Sequence, residues 1–187
     1  GEGGMITTDD SRLAEAACCM RNHGQSPDGV MVILGHNWRM SEIAAILGKY
    51  QLENLEKFVQ KRNKVARMYD EELKNMRGVS LFKTPSNIRH SYYKYAVRLA
   101  DNVDKDELAR ILKHECNIET GNVYYPPCHL NPFYEENFGT REGDLPVAER
   151  VLKKVLCLPV HVGLSERNVI YISKALTRSI ERLVNIG

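Results

Sequence analysis

The stretch SEIAAILGKYQLENLEKFVQKRNKVARMYDEELKNM, residues 41–76, repeats an apolar or aromatic side chain every three or four positions, among them Ile43, Ile46, Leu47, Tyr50, Leu55, Phe58, Val65, Tyr69, Leu73 and Met76. That period lines up one face of an α-helix. Ser41 carries a hydroxyl suited to an N-cap, and Gly78 offers a stop. At 1.5 Å per residue such a helix reaches roughly 50 Å, further than a small domain is wide. It is expected to bridge two bodies, dividing the chain into residues 1–40, a connecting helix over 41–77 and a C-terminal domain over 78–187.

Downstream of it the period changes. YYKYAVRL, residues 92–99, alternates, with Tyr93, Tyr95, Val97 and Leu99 on one face and Tyr92, Lys94, Ala96 and Arg98 on the other, the pattern of a half-buried strand. DKDELARILKHEC reads as a short amphipathic helix, IETGNVYY as a second strand and PVAERVLKKVLCLP as another helix. A closing helix starts at Ser165. The expected class is α+β, with a short antiparallel sheet and helices in the C-terminal domain. Upstream, MIT is a strand candidate, DSRLAEAACCMRNHG a helix begun near Asp10 or Ser11 and stopped by Gly24, and QSPDG a loop.

Composition narrows the function classes. Of 187 residues 43% are hydrophobic and 27% charged, enough to bury a core. A formal net charge of +2 sets up no field that calls for nucleic acid or an anionic membrane. VMVIL and similar apolar runs fall far short of the roughly 20 residues that span a bilayer, and nothing resembles a signal peptide, so a cytoplasmic location is expected. Five cysteines, none spaced C-x-x-C, suit free thiols, and six scattered histidines do not form metal-ligand spacings.

Four stretches say more: GEGGM at residues 1–5, RNHG at 21–24, LGHNWRMSEI at 34–43 and NVYYPPCHLNPFY at 122–134. In this order, and followed by LPVAERVLKKVLCLPVHVGLSE, they resemble the DegT/DnrJ/StrS family of sugar aminotransferases over essentially the whole chain. The resemblance implies a fold type I enzyme that uses pyridoxal phosphate to aminate keto groups on nucleotide-linked sugars. GEGGM lies just downstream of the family's Schiff-base lysine, so the chain matches a C-terminal portion: the tail of the large domain, the connecting helix and the small domain. The catalytic lysine is expected to be absent. The chain's own lysines, including Lys105, Lys153 and Lys154, fall on helix surfaces rather than in a desolvated pocket.

Asn37 and Arg39 enter the long helix, where polar groups at a helix N-terminus suit an anion. By the resemblance Asn37 reaches across a dimer to the cofactor phosphate of the other subunit. Arg39 has two readings, a contact to the same phosphate or substrate and an ion pair that fixes the loop. Trp38 reads as interface or core packing. Tyr124, Tyr125 and His129 sit on a loop stiffened by two prolines and are the candidate substrate-binding residues, lining a sugar-nucleotide pocket. The family more often has histidine where Tyr124 stands, while His129 matches its usual histidine and reads equally as substrate contact or structural anchor. Arg21 and His23 read as a helix C-terminus, Glu2 as a residue that shapes the glycine turn, and the tyrosines of SYYKYAV as packing.

The expected function is the C-terminal portion of a homodimeric aminotransferase acting on nucleotide-sugar and amino-acid substrates, glutamate being the donor, with the portion alone inactive and not retaining pyridoxal 5'-phosphate. Two alternatives stand beside it: a dehydratase of the same fold, in which histidine replaces the upstream lysine, and a non-catalytic interaction or regulatory protein derived from the enzyme.

Overall fold

The computed structural model describes residues 3–185; the reading of Glu2 lies outside them. Its contacts divide the chain into two units, Gly1–Glu56 and Lys57–Gly187. The boundary falls inside the long helix.

In the first unit, helix α1 (Ser11–Arg21) is opened by Asp10, whose carboxylate accepts the Arg12 and Leu13 amides. Residues 5–7, expected as a strand, pair with nothing and have no regular structure. Helix α2 (Glu42–Leu73) begins where Ser41 Oγ accepts the Ala44 amide at 3.3 Å. It runs 32 residues and stops before Gly78, which turns the chain at φ +84°. Within the first unit the α2 stripe is bare, with Ile43 74% exposed and Ile46 68%. In the second unit the same stripe is core: Val65, Ala66, Tyr69 and Leu73 are buried.

The second unit is built on a three-stranded antiparallel sheet, β1 (Val79–Leu81), β2 (Tyr95–Leu99) and β3 (Val155–Leu158), with β2 in the middle. Val79 pairs with Leu99, and Ala96 with Cys157. Tyr95, Val97 and Leu99 point into a core shared with α2, with α3 (Lys105–Cys116) through Leu108 and Leu112, and with α6 (Glu166–Asn185) through Val169, Leu176 and Ile180. Each of these buried side chains contributes roughly 1.5–3 kcal/mol. The α+β class with a small antiparallel sheet holds.

In the second unit three segments depart from expectation. The strand begins at Tyr95 rather than at 92, because Tyr92 adopts φ +43° and breaks the alternation. Tyr92 therefore packs against the core while Tyr93 is 56% exposed. Residues 118–125 form no strand: Gly121 exchanges both backbone hydrogen bonds with Cys157, and the chain leaves the sheet at Tyr124, with φ +45°. The helix expected over 146–159 ends at Lys154, as α5 (Pro146–Lys154), and continues as β3. All four β3 residues are buried, and a short continuous apolar run carries no period that separates strand from helix. Two short elements, a 3-10 turn at Cys128–Leu130 and α4 (Pro132–Phe138), precede α5.

Candidate active-site loops

Helix α1 ends at Arg21 because the chain doubles back on it. The His23 amide donates to His36 O at 2.9 Å, the His36 amide to Met20 O at 2.7 Å and the Trp38 amide to Arg21 O at 2.9 Å. Residues 22 and 37 thus face each other as an antiparallel bridge. The crossing is possible because two glycines touch backbone to backbone: a Cβ on Gly35 would stand 2.6 Å from Gly24 Cα, and one on Gly24 would stand 2.9 Å from Ile33 C. Gly24 also sits at φ +75°. Here RNHG and LGHNW have one physical explanation, a glycine crossing that fixes the start of α2.

The crossing presents Asn37 and Arg39 to solvent together. Arg39 Nε donates to Asn37 Oδ1 at 3.0 Å, which engages the amide oxygen and leaves the Nδ2 hydrogens of this exposed residue as its remaining donors. A guanidinium beside an exposed amide is a donor set that fits a phosphate. Trp38 is not core: it is 61% exposed and stacks on His36 with centroids 4.3 Å apart. Arg21, Trp38 and Arg39 also line an open concavity of about 1540 Å³.

The second group, Tyr124, Tyr125 and His129, lies in the other unit. Tyr124 is 65% exposed, and Lys94 Nζ stands 4.9 Å from its ring centroid while donating to Asn122 O at 2.6 Å. A hydrogen bond to Tyr124 pushes the Tyr93 phenol up. Tyr125 covers Lys105, whose Nζ is 4.0 Å from the ring centroid. Lys105 was expected on a helix surface. It is buried instead, because as the first residue after the Asp104 cap it turns back under the tyrosine loop, and its only sequence signal is that position.

His129 is buried, and its Nε2 donates to Glu149 Oε1 at 2.8 Å. Glu149 also accepts the Gly143 and Leu145 amides, and Thr140 Oγ1 donates to His129 O at 2.7 Å. The hydrogen bond from His129, then those from the backbone, hold the Glu149 carboxyl below the usual range. A depressed folded pKa means that the stabilisation is present above the ordinary glutamate value, about 4.3, and is lost as pH falls through the lower folded value. Amide-exchange protection at Gly143 and Leu145 is therefore expected to hold at neutral pH and collapse under acid. Glu149→Gln should weaken it severalfold at neutral pH and remove the pH dependence; protection unchanged in that variant would refute the clamp.

Among the described residues no group of three His, Cys, Asp or Glu could hold a metal ion, all five cysteines are free, and no helix is long and apolar enough to cross a membrane.

The model of the DegT/DnrJ/EryC1/StrS aminotransferase family matches residues 1–177. The chain belongs to that family. It is 32% identical to the dTDP-4-amino-4,6-dideoxy-D-glucose transaminase of Escherichia coli, over 94% of this chain and 47% of that one. Among solved structures it is similar to the aminotransferase TlmJ from Streptoalloteichus hindustanus, at 31% identity and a TM-score of 0.82, covering 94% of this chain and 46% of TlmJ. DesV of S. venezuelae, solved in complex with a ketimine intermediate, matches at 28% identity and a TM-score of 0.85, over 94% and 46% of the two chains. The family chain described here spans about half the length of the curated relatives it matches.

Proposed function

We propose that this chain is the C-terminal portion of a pyridoxal-phosphate-dependent aminotransferase acting on a nucleotide-linked keto sugar. In the whole enzyme the amino group of glutamate takes the place of the sugar's carbonyl oxygen, and glutamate leaves as its 2-oxo acid. The observation that carries this reading is the Asn37–Arg39 pair, an exposed amide hydrogen-bonded to a guanidinium, held by the glycine crossing in a member of an aminotransferase family. Pyridoxal phosphate, when bound, supplies the electron sink that such a transfer needs.

Asn37 would hold the phosphate of the cofactor in a second copy through its amide donors, and Arg39, hydrogen-bonded to that amide, would add positive charge beside it. Two subunits then complete each site. Tyr124 and Tyr125 frame the sugar nucleotide, and His129, committed to Glu149, fixes the loop that carries them. The chain spans about half the length of its aminotransferase relatives, and in this reading the cofactor-holding lysine is supplied by the rest of the whole enzyme. Bare apolar surface in the first unit, with Leu34 83% exposed and Ile43 74%, supports a reading in which this unit packs against more protein in the whole enzyme.

The test is reconstitution. Mixed with a full-length subunit that carries the upstream lysine but has Asn37→Ala, this chain should restore glutamate-dependent amination of a nucleotide-linked keto sugar, because it contributes an intact Asn37 to the partner's site. Mixed subunits that associate and yet stay inactive would overturn the reading.

A further inference from the structure

Lys105 is 6% exposed, and its Nζ has no hydrogen-bond acceptor among the described residues. An ammonium carries three donors, and burying it without acceptors strongly disfavours the charged form unless something else compensates. The group that closes over it is the Tyr125 ring, with its centroid 4.0 Å from Nζ, and a ring face is an attractive surface for a cation. Around the same ammonium stand Asp106, Cys157 and Lys154. Asp106 favours the charge and Lys154 opposes it; burial wins, and lowers the Lys105 pKa. Lys154 does not relieve the crowding by moving away, because its Nζ donates to Asp101 O at 2.8 Å and Val103 O at 2.9 Å.

A second lysine grips the neighbouring ring. Lys94 Nζ lies 4.9 Å from the Tyr124 centroid and is tied to Asn122 O, so consecutive tyrosines are held by cations from two different elements, the approach to β2 and the start of α3. The two grips differ. Lys94 keeps a hydrogen bond and an exposed ring, whereas Lys105 has a ring contact and no hydrogen bond among the described residues.

We propose that Lys105 is a positioning residue for the Tyr124–Tyr125 loop, its buried ammonium fixing where the Tyr125 ring sits and hence how the loop meets the sugar nucleotide. The proposal rests on the reading of this loop as facing the sugar. Lys105 touches no substrate; it acts through Tyr125. Its role follows from a defined α3 start, where the Asp104 cap sets the backbone from which the side chain returns beneath the loop.

Two measurements separate the contact from its consequence. In this chain, the ring current of Tyr125 should displace the Lys105 ε-methylene proton resonances upfield of every other lysine; the displacement should survive Tyr125→Phe and vanish in Tyr125→Leu. An undisplaced resonance in the wild type overturns the proposal, and leaves the sugar-facing reading standing. In the full-length enzyme, Lys105→Met should raise KM for the nucleotide sugar about tenfold, with kcat and the KM for glutamate little changed, in line with the strength of a buried cation–π contact. Lys105→Arg should recover most of that loss. Equal losses for both substrates would mean general damage and also overturn the proposal. A displaced resonance with an unchanged sugar KM would place the fault in the sugar-facing reading of the loop, and the positioning role would fall with it.

Discussion

Gly35→Ala is expected to open the glycine crossing and release Asn37 from its place. The added Cβ would fall inside the backbone of His23 and Gly24, 2.6 Å from Gly24 Cα, and backbone cannot rotate out of the way as a flexible side chain can. A core overpacked by flexible groups loses 1–3 kcal/mol; here the yielding partner is main chain, and about 3 kcal/mol or more is expected. Gly24→Ala adds the cost of a left-handed backbone, about 1–2 kcal/mol, to a collision with Ile33 O. Trp38, the only tryptophan in the sequence, reports the result directly. Its stacking on His36 should be lost, changing its fluorescence, and the His23, His36 and Trp38 amides should exchange freely while the melting of the second unit stays as it was. Retained protection at those three amides would show that the crossing does not hold the loop.

Tyr69→Ala should bring the largest loss in the second unit. Tyr69 is fully buried on α2, stacks on Tyr95 with centroids 4.8 Å apart, and donates its hydroxyl to Pro159 O at 3.0 Å, just past the end of β3. Removing the ring leaves a cavity between helix and sheet and an unpaired carbonyl, a loss of about 3–5 kcal/mol. Tyr69→Phe keeps the ring and should cost about 1 kcal/mol. Denaturant melts of the second unit would read both, and equal losses would mean that the hydroxyl rather than the ring carries the contact. Burial also pushes the Tyr69 and Tyr95 phenols up, Tyr95 further through its hydrogen bond to Asp70. For groups raised in the folded state, the stabilisation is complete below the unfolded tyrosine value, about 10, and is lost as pH climbs through the higher folded values. Alkaline unfolding should therefore set in earlier for the wild type than for Tyr69→Phe relative to their neutral stabilities.

The sequence carried much of this frame, unevenly. Caps were legible because they are local: Asp10, Ser41 and Ser165 each hold a residue type whose side chain meets an amide two or three positions on. The α2 period was legible along its whole length, but period alone does not say which half is covered, and Ile43 and Val65 look alike in it while one is bare and the other buried. β3 was hidden because Val155, Leu156, Cys157 and Leu158 are all apolar and all buried, and its strand state is decided by β2 beside it. Tyr92 and Tyr93 exchanged places through one left-handed φ that no alternation predicts. Asn37 and Arg39 were legible as polar residues entering α2, whereas the hydrogen bond between them was not. Lys105 was not, since its burial depends on a loop twenty residues further along the chain.

Neighbouring strands β2 and β3 are separated in the chain by residues 100–154, an excursion that holds α3, the tyrosine loop, α4 and α5. Closing so distant a pair costs loop entropy before any ladder bond repays it, so folding of the sheet is expected to wait on the return of β3 rather than on helix formation. The ladder that pairs Ala96 with Cys157 holds none of the tyrosine loop's residues 122–130, so substitutions at the exposed Tyr124 are expected to leave the sheet register unchanged.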